Sequence, residues 1–325
     1  MQLASSDRRL LNLIQTEFPL TREPFTDLGR RLDSNVEEII QDIARLKDAG
    51  IIRVIGPVID SRSLGYNSTL VAMKVTEANL EKAEQVIASQ PGVSHGYDRD
   101  HLFNVWFTLA LPPESDIETE LQKLTRATGA ETAFSLPAVK VFKIGAYFDM
   151  EENGQTTPVA RQKSVLSGQV ELSSTDRLII NELQQDLALV PAPFSAMAER
   201  VDMDTERFLA GCKSLQERGV IRRFSASINH RNAGFTANAM SCWVAPADKL
   251  DNVGRKLASL KEVSHCYERR TNQHWQYNLF AMIHGRSREV CQDIAERISH
   301  KTGLTDYVLL YSTREFKKTR VKYLV

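Results

Sequence analysis

The sequence predicts an α+β protein made of two tandem copies of one unit, each a helix-turn-helix domain followed by a βαββαβ domain. Two observations carry this prediction. The first half of the chain aligns with the second, and helical and alternating apolar patterns follow one another in the same order in both halves. A length of 325 residues fits two or more domains, and 42% hydrophobic residues suffice for their cores.

The internal repeat is visible in the residues themselves. DRRLLNLIQTEFPL in the first half aligns with DRLIINELQQDLAL in the second, and VSHGYDR aligns with VSHCYER. A short insertion just after Arg269 then brings Asn104 onto Asn278. One ancestral unit therefore occurs twice.

Each copy opens with three short helical patterns and an alternating strand. In the first copy the helical patterns are DRRLLNLI, PFTDLGRRL and SNVEEIIQDIARLKDAG. We expect Ser34 to be the N-cap of the third helix, with Glu37 completing a capping box. The strand is IIRVIGPVID in the first copy and VIRRFSASIN in the second. This pattern predicts helix-turn-helix domains over residues 1–60 and 173–229.

The rest of each copy alternates strands and helices in the order βαββαβ. In the first copy the patterns are STLVAMKV, ANLEKAEQVIASQ, VSHGY, FNVWFTLAL, ESDIETELQKLTRATG and VKVFKIGAYF. The order predicts a four-stranded antiparallel sheet with two helices on one face, the ferredoxin-like arrangement, over residues 61–150 and 230–325. The other face of each sheet needs a partner, and we expect the second copy to supply it. The polar segment 151–172 is the predicted linker.

Charge and cysteine usage limit the class of function. The 41 basic and 41 acidic residues cancel, so no overall field attracts a polyanion and any anion site must be local. The four cysteines form no CxxC pair, which argues against a zinc site and a disulfide framework and fits a reducing cytoplasm. The N-terminus lacks a secretory pattern, and no apolar run reaches the ~18 residues of a membrane span. We expect neither export nor a membrane partner.

The domain order resembles that of the Lrp/AsnC group of bacterial regulators, in which a helix-turn-helix precedes a ferredoxin-like, AsnC-type ligand-sensing domain. The resemblance covers nearly the whole chain, twice, and makes DNA binding a hypothesis to test. The third helix of the first copy carries four acidic residues against Arg45 and Lys47. A helix laid against phosphates needs an excess of Lys and Arg. We therefore expect no DNA partner and interpret the helix-turn-helix mainly as scaffold and dimerisation surface.

Three longer segments resemble the siroheme decarboxylases. They are GVIRRFSASINHRNAGFTANAM and VSHCYERRTNQHWQYNLFAMIHG in the second copy, with VSHGYDRDHLFNVWFTL in the first. The chain looks like the paired subunits of such an enzyme fused into one. The resemblance implies a non-oxidative lyase that removes the carboxyl groups of two acetate side chains of siroheme as carbon dioxide. The product is 12,18-didecarboxysiroheme, in heme d1 synthesis or the siroheme-dependent heme route.

Siroheme is a flat macrocycle rimmed by carboxylates, so its site needs forked cationic donors at the edge and an aromatic floor. We expect the donors in two segments that flank the same predicted sheet: Arg222, Arg223, Arg231, Arg269 and Arg270. We expect the floor in the segment after the insertion: Trp275, Tyr277 and Phe280. Each arginine taken alone is also typical of a solvated strand edge. We expect no cofactor beyond the iron-containing substrate and no separate metal site.

Decarboxylation leaves electron density on a carbon that must then gain a proton, and histidine is the natural acid near neutral pH. His101 and His230 are the predicted proton donors, because each occurs in one copy only. The aligned residues of the other copy are Trp275 and Ser61. The residues that recur in both VSHxYxR motifs are expected either to contact the substrate or to pack within the fold: His95, His265, Tyr97 and Tyr267.

Three hypotheses follow: a siroheme decarboxylase, a ligand-responsive transcription regulator, and a tetrapyrrole-binding carrier without catalysis. In the first, siroheme is the partner and the two halves pair with pseudo-twofold symmetry, while further assembly into a homo-oligomer stays open. Arg223 and His230 align with Val54 and Ser61. Because these two residues occur only in the second copy, we expect the second half to bind the substrate.

Overall fold

The computed structural model describes residues 3–145, 150, 168–229 and 237–325. The elements of the first copy are α1 (Ser5–Thr16), α2 (Pro24–Leu32), α3 (Val36–Asp48), β1 (Ile52–Ile59), β2 (Asn67–Lys74), α4 (Glu77–Ser89), β3 (Val93–Arg99), β4 (Val105–Leu111), α5 (Ile117–Thr128) and β5 (Thr132–Ile144). The elements of the second copy are α6 (Ser174–Leu183), α7 (Pro193–Arg200), α8 (Thr205–Glu217), β6 (Ile221–Ile228), β7 (Ala237–Trp243), α9 (Ala247–Ser259), β8 (Val263–Arg269), β9 (Leu279–Gly285), α10 (Arg288–Thr302) and β10 (Tyr307–Lys318). The predicted order of helices and strands is confirmed in both copies.

The chain folds as two compact units that group like parts of the two copies. The first unit takes its residues from 1–64, 147–234 and 323–325, and so holds both helix-turn-helix domains. The second takes its residues from 65–146 and 235–322, and so holds both βαββαβ domains. The predicted linker lies outside the described residues up to 167, and residues 168–172 carry no helix or strand.

Strands β1 and β6 join the two halves of the first unit as an antiparallel pair, in which Pro57 lies opposite Phe224. The Phe224 ring packs 6.0 Å from that of Phe18 and 5.6 Å from that of Phe194, one contact in each helix-turn-helix domain. The strand that carries Arg222 and Arg223 therefore belongs to this pair. The expectation that Arg222 and Arg223 flank the same sheet as Arg269 is wrong, because β6 pairs with its repeat partner β1 rather than with the ferredoxin-like sheet.

Helix α3 begins one residue later than expected. Its N-cap is Asn35, whose side chain accepts a hydrogen bond from the Glu38 N–H at 2.9 Å. The Glu38 carboxylate accepts in return from the Asn35 N–H and from the Ser34 hydroxyl, at 3.3 and 2.6 Å. Ser34 thus supports the capping box from outside the helix, since adjacent Ser and Asn are both good N-caps and only one can have the required backbone position.

In the second unit, eight strands within the described residues form a closed barrel. Each copy contributes a ferredoxin-like sheet, and the last strand of each sheet is long enough to pair twice. β5 runs beside β2 as far as Pro137 and beside β8 from Ala138 onward. β10 runs beside β7 as far as Tyr311 and beside β3 from Ser312 onward. The two copies therefore cover each other's sheets through continuous strand pairing.

Alternation along the strands separates an outer layer from the barrel interior. Outward residues of β9, such as Ala281 and Ile283, pack with helices α9 and α10, and the first copy packs likewise with α4 and α5. The strand residues that alternate with these outward residues face the interior of the barrel. The buried side chains inside the barrel, here called the interior cluster, are Ala72, Phe103, Trp106, Phe134, Leu136, Met240, Cys242, Trp275, Phe280 and Leu310.

Candidate functional site

Strands β3 and β8 each present a histidine, a tyrosine and an arginine in a column, because residues two apart share one face of a strand. In the first copy the His95 and Tyr97 rings stack with centroids 6.5 Å apart, and the Arg99 guanidinium carbon lies 5.3 Å from the Tyr97 centroid. The aligned column of the second copy has distances of 6.2 and 4.8 Å and ends in Arg269. The repeated motif thus builds the same column twice.

The arginine at the end of each column also reaches the strand that changes partner. Arg99 donates to the Leu310 carbonyl and Arg269 to the Leu136 carbonyl, both at 2.7 Å. Burial lowers the pKa of each guanidinium to about 10. Among the described residues neither makes an ion pair, and the Nε atom of each has no hydrogen-bond partner. Within the described ranges, each of these two cations therefore keeps an unused Nε donor and has no carboxylate as a counter-charge.

Arg99 is a site candidate that sequence reasoning missed. It is 5% exposed and occupies the same position in VSHGYDR that Arg269 occupies in VSHCYER. The repeat itself was the signal that could have found it. Arg270, by contrast, is exposed, and its backbone N–H donates to the Pro137 carbonyl at 3.0 Å.

The predicted aromatic floor lies inside the barrel. Trp275 is 3% exposed, and its ring centroid is 5.1 Å from those of both Trp106 and Tyr277. Phe280 lies 5.5 Å from the Arg269 guanidinium carbon, on which Tyr267 also packs. The structure therefore brings Trp275, Tyr277 and Phe280 together around the interior cluster, with one cation held between two rings.

His101 lies in the loop between β3 and β4, with its ring edge-on to Trp275 at 5.4 Å. These two residues align in the repeat, so the copies meet at equivalent positions. The His101 Nδ1 accepts a hydrogen bond from the Phe103 N–H at 3.1 Å. A neutral ring that accepts at Nδ1 carries its proton on Nε2, which makes Nε2–H the available donor.

Burial lowers the pKa of His101 below its ordinary value. We expect its ring resonances, assigned by their loss in the His101→Gln variant, to titrate below about 6.5 in an NMR pH series. Because the unfolded chain binds this proton first, the contribution of the neutral ring to stability is complete above about 6.5 and is lost as the pH falls from there through the folded value. A pKa at or above the ordinary value would contradict the burial argument.

In the first unit, Arg222 and Arg223 have opposite environments although they are adjacent on β6. Arg222 donates to Asp60 at 2.6 Å, and that carboxylate is 4% exposed and also accepts from the Arg62 Nε at 3.4 Å. Arg223 is mostly buried, and its Nε has no hydrogen-bond partner among the described residues. Burial lowers the pKa of Arg223, and the charge of Arg222 lowers it further. His230 and Arg231 lie outside the described residues.

The basic residues of α3 are engaged in ion pairs within the first unit. Arg45 binds Asp7 at 2.5 Å and Asp42 at 2.6 Å, and Lys47 binds Asp186 at 2.6 Å. These cations are already neutralised by carboxylates. A phosphate backbone would have to displace those partners, which is unfavourable for DNA binding.

The described residues contain neither a cluster suited to a metal ion nor a helix suited to a membrane. No group of three or more His, Cys, Asp or Glu residues is placed to hold a metal ion. No helix in the described ranges has the length and apolar character to cross a membrane. A depression of about 250 Å³ lies at the turn between α2 and α3, and none of its lining residues is a predicted site residue. Its lining residues are Thr26, Gly29, Arg30, Asp33, Ser34, Asn35 and Val36.

Family models match both copies of the repeat. A model described as "AsnC-like ligand binding domain" matches residues 63–143 and 232–317. A model described as "Siroheme decarboxylase NirDL-like HTH domain" matches residues 7–53 and 176–222. The matches alternate along the chain in the order expected from the repeat.

Similar proteins cover either the whole chain or half of it. The siroheme decarboxylase of Hydrogenobacter thermophilus is 41% identical over 97% of this chain and 94% of its own length. The siroheme decarboxylase beta subunit of Methanosarcina barkeri is 42% identical over 46% of this chain and 99% of its own length. A solved structure of the siroheme decarboxylase NirDL in co-complex with an iron-uroporphyrin III analogue has a TM-score of 0.72 and 38% identity, covering 98% of this chain and 94% of that one.

Proposed function

The chain belongs to the siroheme decarboxylase family, and from that premise we propose that it removes the carboxyl groups of two acetate side chains of siroheme, giving 12,18-didecarboxysiroheme and carbon dioxide. The reaction makes it a carbon–carbon lyase in heme d1 synthesis or the siroheme-dependent heme route. Support comes from a relative that matches nearly the full length and from a similar structure solved with an iron-uroporphyrin analogue. The iron enters with the substrate, and the proposal includes no further cofactor.

The environment of Arg223 carries the proposal most directly. A mostly buried guanidinium lies beside a second cation, Arg222, whose own charge is balanced by Asp60. Keeping such a charge without a partner is costly, so a ligand that supplies a carboxylate gains from binding it. Valine occupies the aligned position of the first copy, at Val54. The repeated strand therefore does not require an arginine at this position, which supports a role for Arg223 in binding a carboxylate of the substrate.

The barrel offers a second set of donors in Arg99 and Arg269. Arg269 donates to a backbone carbonyl, and Arg99 donates to a backbone carbonyl and to the Ser312 hydroxyl at 3.2 Å, while the Nε of each has no partner among the described residues and can donate to a carboxylate. The neighbouring ring of Tyr97 or Tyr267 completes the column with a hydroxyl that can hydrogen-bond an acetate. Arg222, Arg231 and Arg270 remain proposed contacts of the substrate, with Arg222 also holding Asp60.

The chemical step needs a place for electrons and a source of protons. The bond between the acetate methylene and its carboxyl group breaks, carbon dioxide leaves, and the electron pair spreads into the macrocycle before the methylene carbon takes a proton. His101 is the proposed donor for one acetate, through the Nε2–H that its hydrogen bond with Phe103 leaves available. His230 stays the other proposed donor. The rings of Phe103 and Trp275 beside His101 give an aromatic surrounding that favours loss of the carboxylate charge.

A cytoplasmic location belongs to the same proposal. It is supported by four buried cysteines in thiol form: Cys212, Cys242, Cys266 and Cys291. The pairing of the two halves as pseudo-symmetric subunits is supported by relatives that each span about half of the chain. DNA is not a proposed partner, because the cations of α3 already bind carboxylates.

Anaerobic incubation of the purified protein with siroheme, followed by mass spectrometry of the tetrapyrrole, tests the proposal. The expected result is loss of the mass of two carbon dioxide molecules in a protein-dependent reaction. Tight binding of unchanged siroheme would instead identify a carrier and contradict the enzymatic proposal. A salt-sensitive shift of DNA without turnover would contradict it in favour of a regulator.

A further inference from the structure

The arginine that ends the first column is held by side chains of the second copy. The Arg99 Nη1 donates to the Leu310 carbonyl at 2.7 Å and to the Ser312 hydroxyl at 3.2 Å. That hydroxyl donates in turn to the Asn238 Oδ1 at 2.7 Å. Ser312 and Asn238 thus form a two-residue support behind the guanidinium, here called the Ser312 clamp.

The clamp lies at the point where β10 changes its partner strand. Tyr311 is the last residue of β10 to pair with β7, opposite Ala239, and Ser312 is the first to pair with β3, opposite Arg99. Asn238 precedes Ala239 on β7. Ser312 therefore lies between the strand that carries Asn238 and the strand that carries Arg99, and it can contact both.

The second column has no such clamp, although its strands pair in the same register. Ala138 of β5 lies opposite Arg269 and has no hydroxyl. The residue of β2 in the place of Asn238 is Ser68, as the strand pairing shows. Ala138 and Ser68 are exposed, and among the described residues the Arg269 side chain donates only to the Leu136 carbonyl. Arg269 is accordingly half-buried, and fewer side chains restrict its guanidinium.

The chemistry of the clamp orients Arg99 without neutralising it. A serine hydroxyl has one proton, and because the Ser312 oxygen accepts from Arg99, that proton is donated to Asn238. Asparagine carries no charge, so the guanidinium is held in place but gains no counter-charge. Its Nε has no partner among the described residues. An arginine fixed before the ligand arrives loses less conformational entropy when a carboxylate binds.

We propose that Ser312 and Asn238 are positioning residues that fix the Arg99 guanidinium for one carboxylate of siroheme, whereas Arg269 stays free to adjust to another; this rests on the proposed function. The second copy then orients the arginine of the first copy and also supplies an arginine of its own. The two columns, alike in their own residues, differ in the freedom of the cation at their ends.

The repeat supplies the variant that tests the clamp. Ser312→Ala/Asn238→Ser gives the second copy the residues that the first copy has at Ala138 and Ser68, so the fold should tolerate the change. We expect the dissociation constant of siroheme to rise about 3- to 10-fold, the effect of having to order one long side chain on binding. Absorbance titration measures it. A higher siroheme concentration should restore the rate of carbon dioxide release, because the loss lies in binding.

Three companion variants separate positioning from packing. Ser312→Thr keeps the hydroxyl and should keep the wild-type affinity. Ser241→Ala is the matched control, since it removes a buried β7 hydroxyl that donates to the Ala281 carbonyl at 2.9 Å and contacts neither arginine. Its affinity should also be that of the wild type. In an Arg99→Lys background the double change should have no further effect on affinity, because no guanidinium remains to be oriented.

Wild-type affinity in the folded double variant would overturn the clamp, and so would an equal loss in the Arg99→Lys background. If the double variant does not fold, Asn238→Asp provides the test. A carboxylate behind Ser312 would partly neutralise Arg99 and should weaken siroheme binding, so an unchanged affinity would overturn the proposal. A wild-type protein that binds no siroheme would instead overturn the proposed function, so the two failures are distinguishable.

Discussion

Replacing Arg223 with valine is expected to weaken siroheme binding by about 10- to 100-fold, the equivalent of one charged hydrogen-bonding contact. The guanidinium is mostly buried, has no acid of its own among the described residues and lies beside Arg222. Loss of an unbalanced cation removes a desolvation cost from the free protein. The free energy of unfolding should therefore stay the same or rise. Absorbance titration with siroheme and urea denaturation measure the two quantities.

The repeat indicates which substitution of Arg223 to make, and the neighbouring Arg222 provides the control. Valine already occupies the aligned position, Val54, on the paired strand β1, so the substitution suits the backbone. Arg222→Met is the control, because it removes the short contact of the buried Asp60 carboxylate and leaves it with the longer contacts to the Arg62 backbone N–H and Nε, at 3.2 and 3.4 Å. It should lower the free energy of unfolding, unlike Arg223→Val. Siroheme affinity unchanged in Arg223→Val would remove Arg223 from the site.

Replacing His101 with asparagine is expected to slow decarboxylation by at least about 100-fold, the effect of losing a positioned general acid. The asparagine Oδ1 can accept from the Phe103 N–H as Nδ1 does now, so the loop should keep its conformation. The variant loses only the ring and its Nε2–H. Siroheme affinity should change little, because His101 is proposed to act on the proton rather than on a carboxylate.

Comparison with His101→Gln separates the roles of the two ring nitrogens, Nδ1 and Nε2. Glutamine places an amide where Nε2 was, but removes the acceptor for the Phe103 N–H. If the general-acid role is correct, both variants lose the single-turnover rate, since neither amide gives up a proton. A rate near that of the wild type in His101→Asn, with the protein folded, would show that His101 serves only to shape the loop.

The order of elements was predictable because helix and strand periodicities are local, and the repeat reported each of them twice. The last strand of the first copy shows what local patterns do not predict. The sequence predicts the last strand from Val139, whereas β5 begins at Thr132 and continues through Pro137. Pro137, which has no N–H to donate, is the last residue of β5 to pair with β2, and Ala138 is the first to pair with β8. Closure of the barrel depends on that change, which no local pattern reports.

The site was less predictable, because it depends on which strands become neighbours. The arginines of β6 and β8 look like one set of donors in the sequence, because both strands belong to the second copy. The structure places these strands in different sheets. Ser312 and Asn238 meet Arg99 only because β10 pairs with both β3 and β7, and their separation along the chain gives no signal. Arg99, however, follows from the repeat once Arg269 is chosen.

The most direct test of the proposed substrate site is the distance between the Arg223 guanidinium nitrogens and the nearest siroheme carboxylate oxygen in crystals grown with siroheme under anoxic conditions. If Arg223 binds the substrate, this contact is a charge-assisted hydrogen bond of about 2.7–2.9 Å. A bound siroheme with no carboxylate within about 4 Å of Arg223 would contradict it.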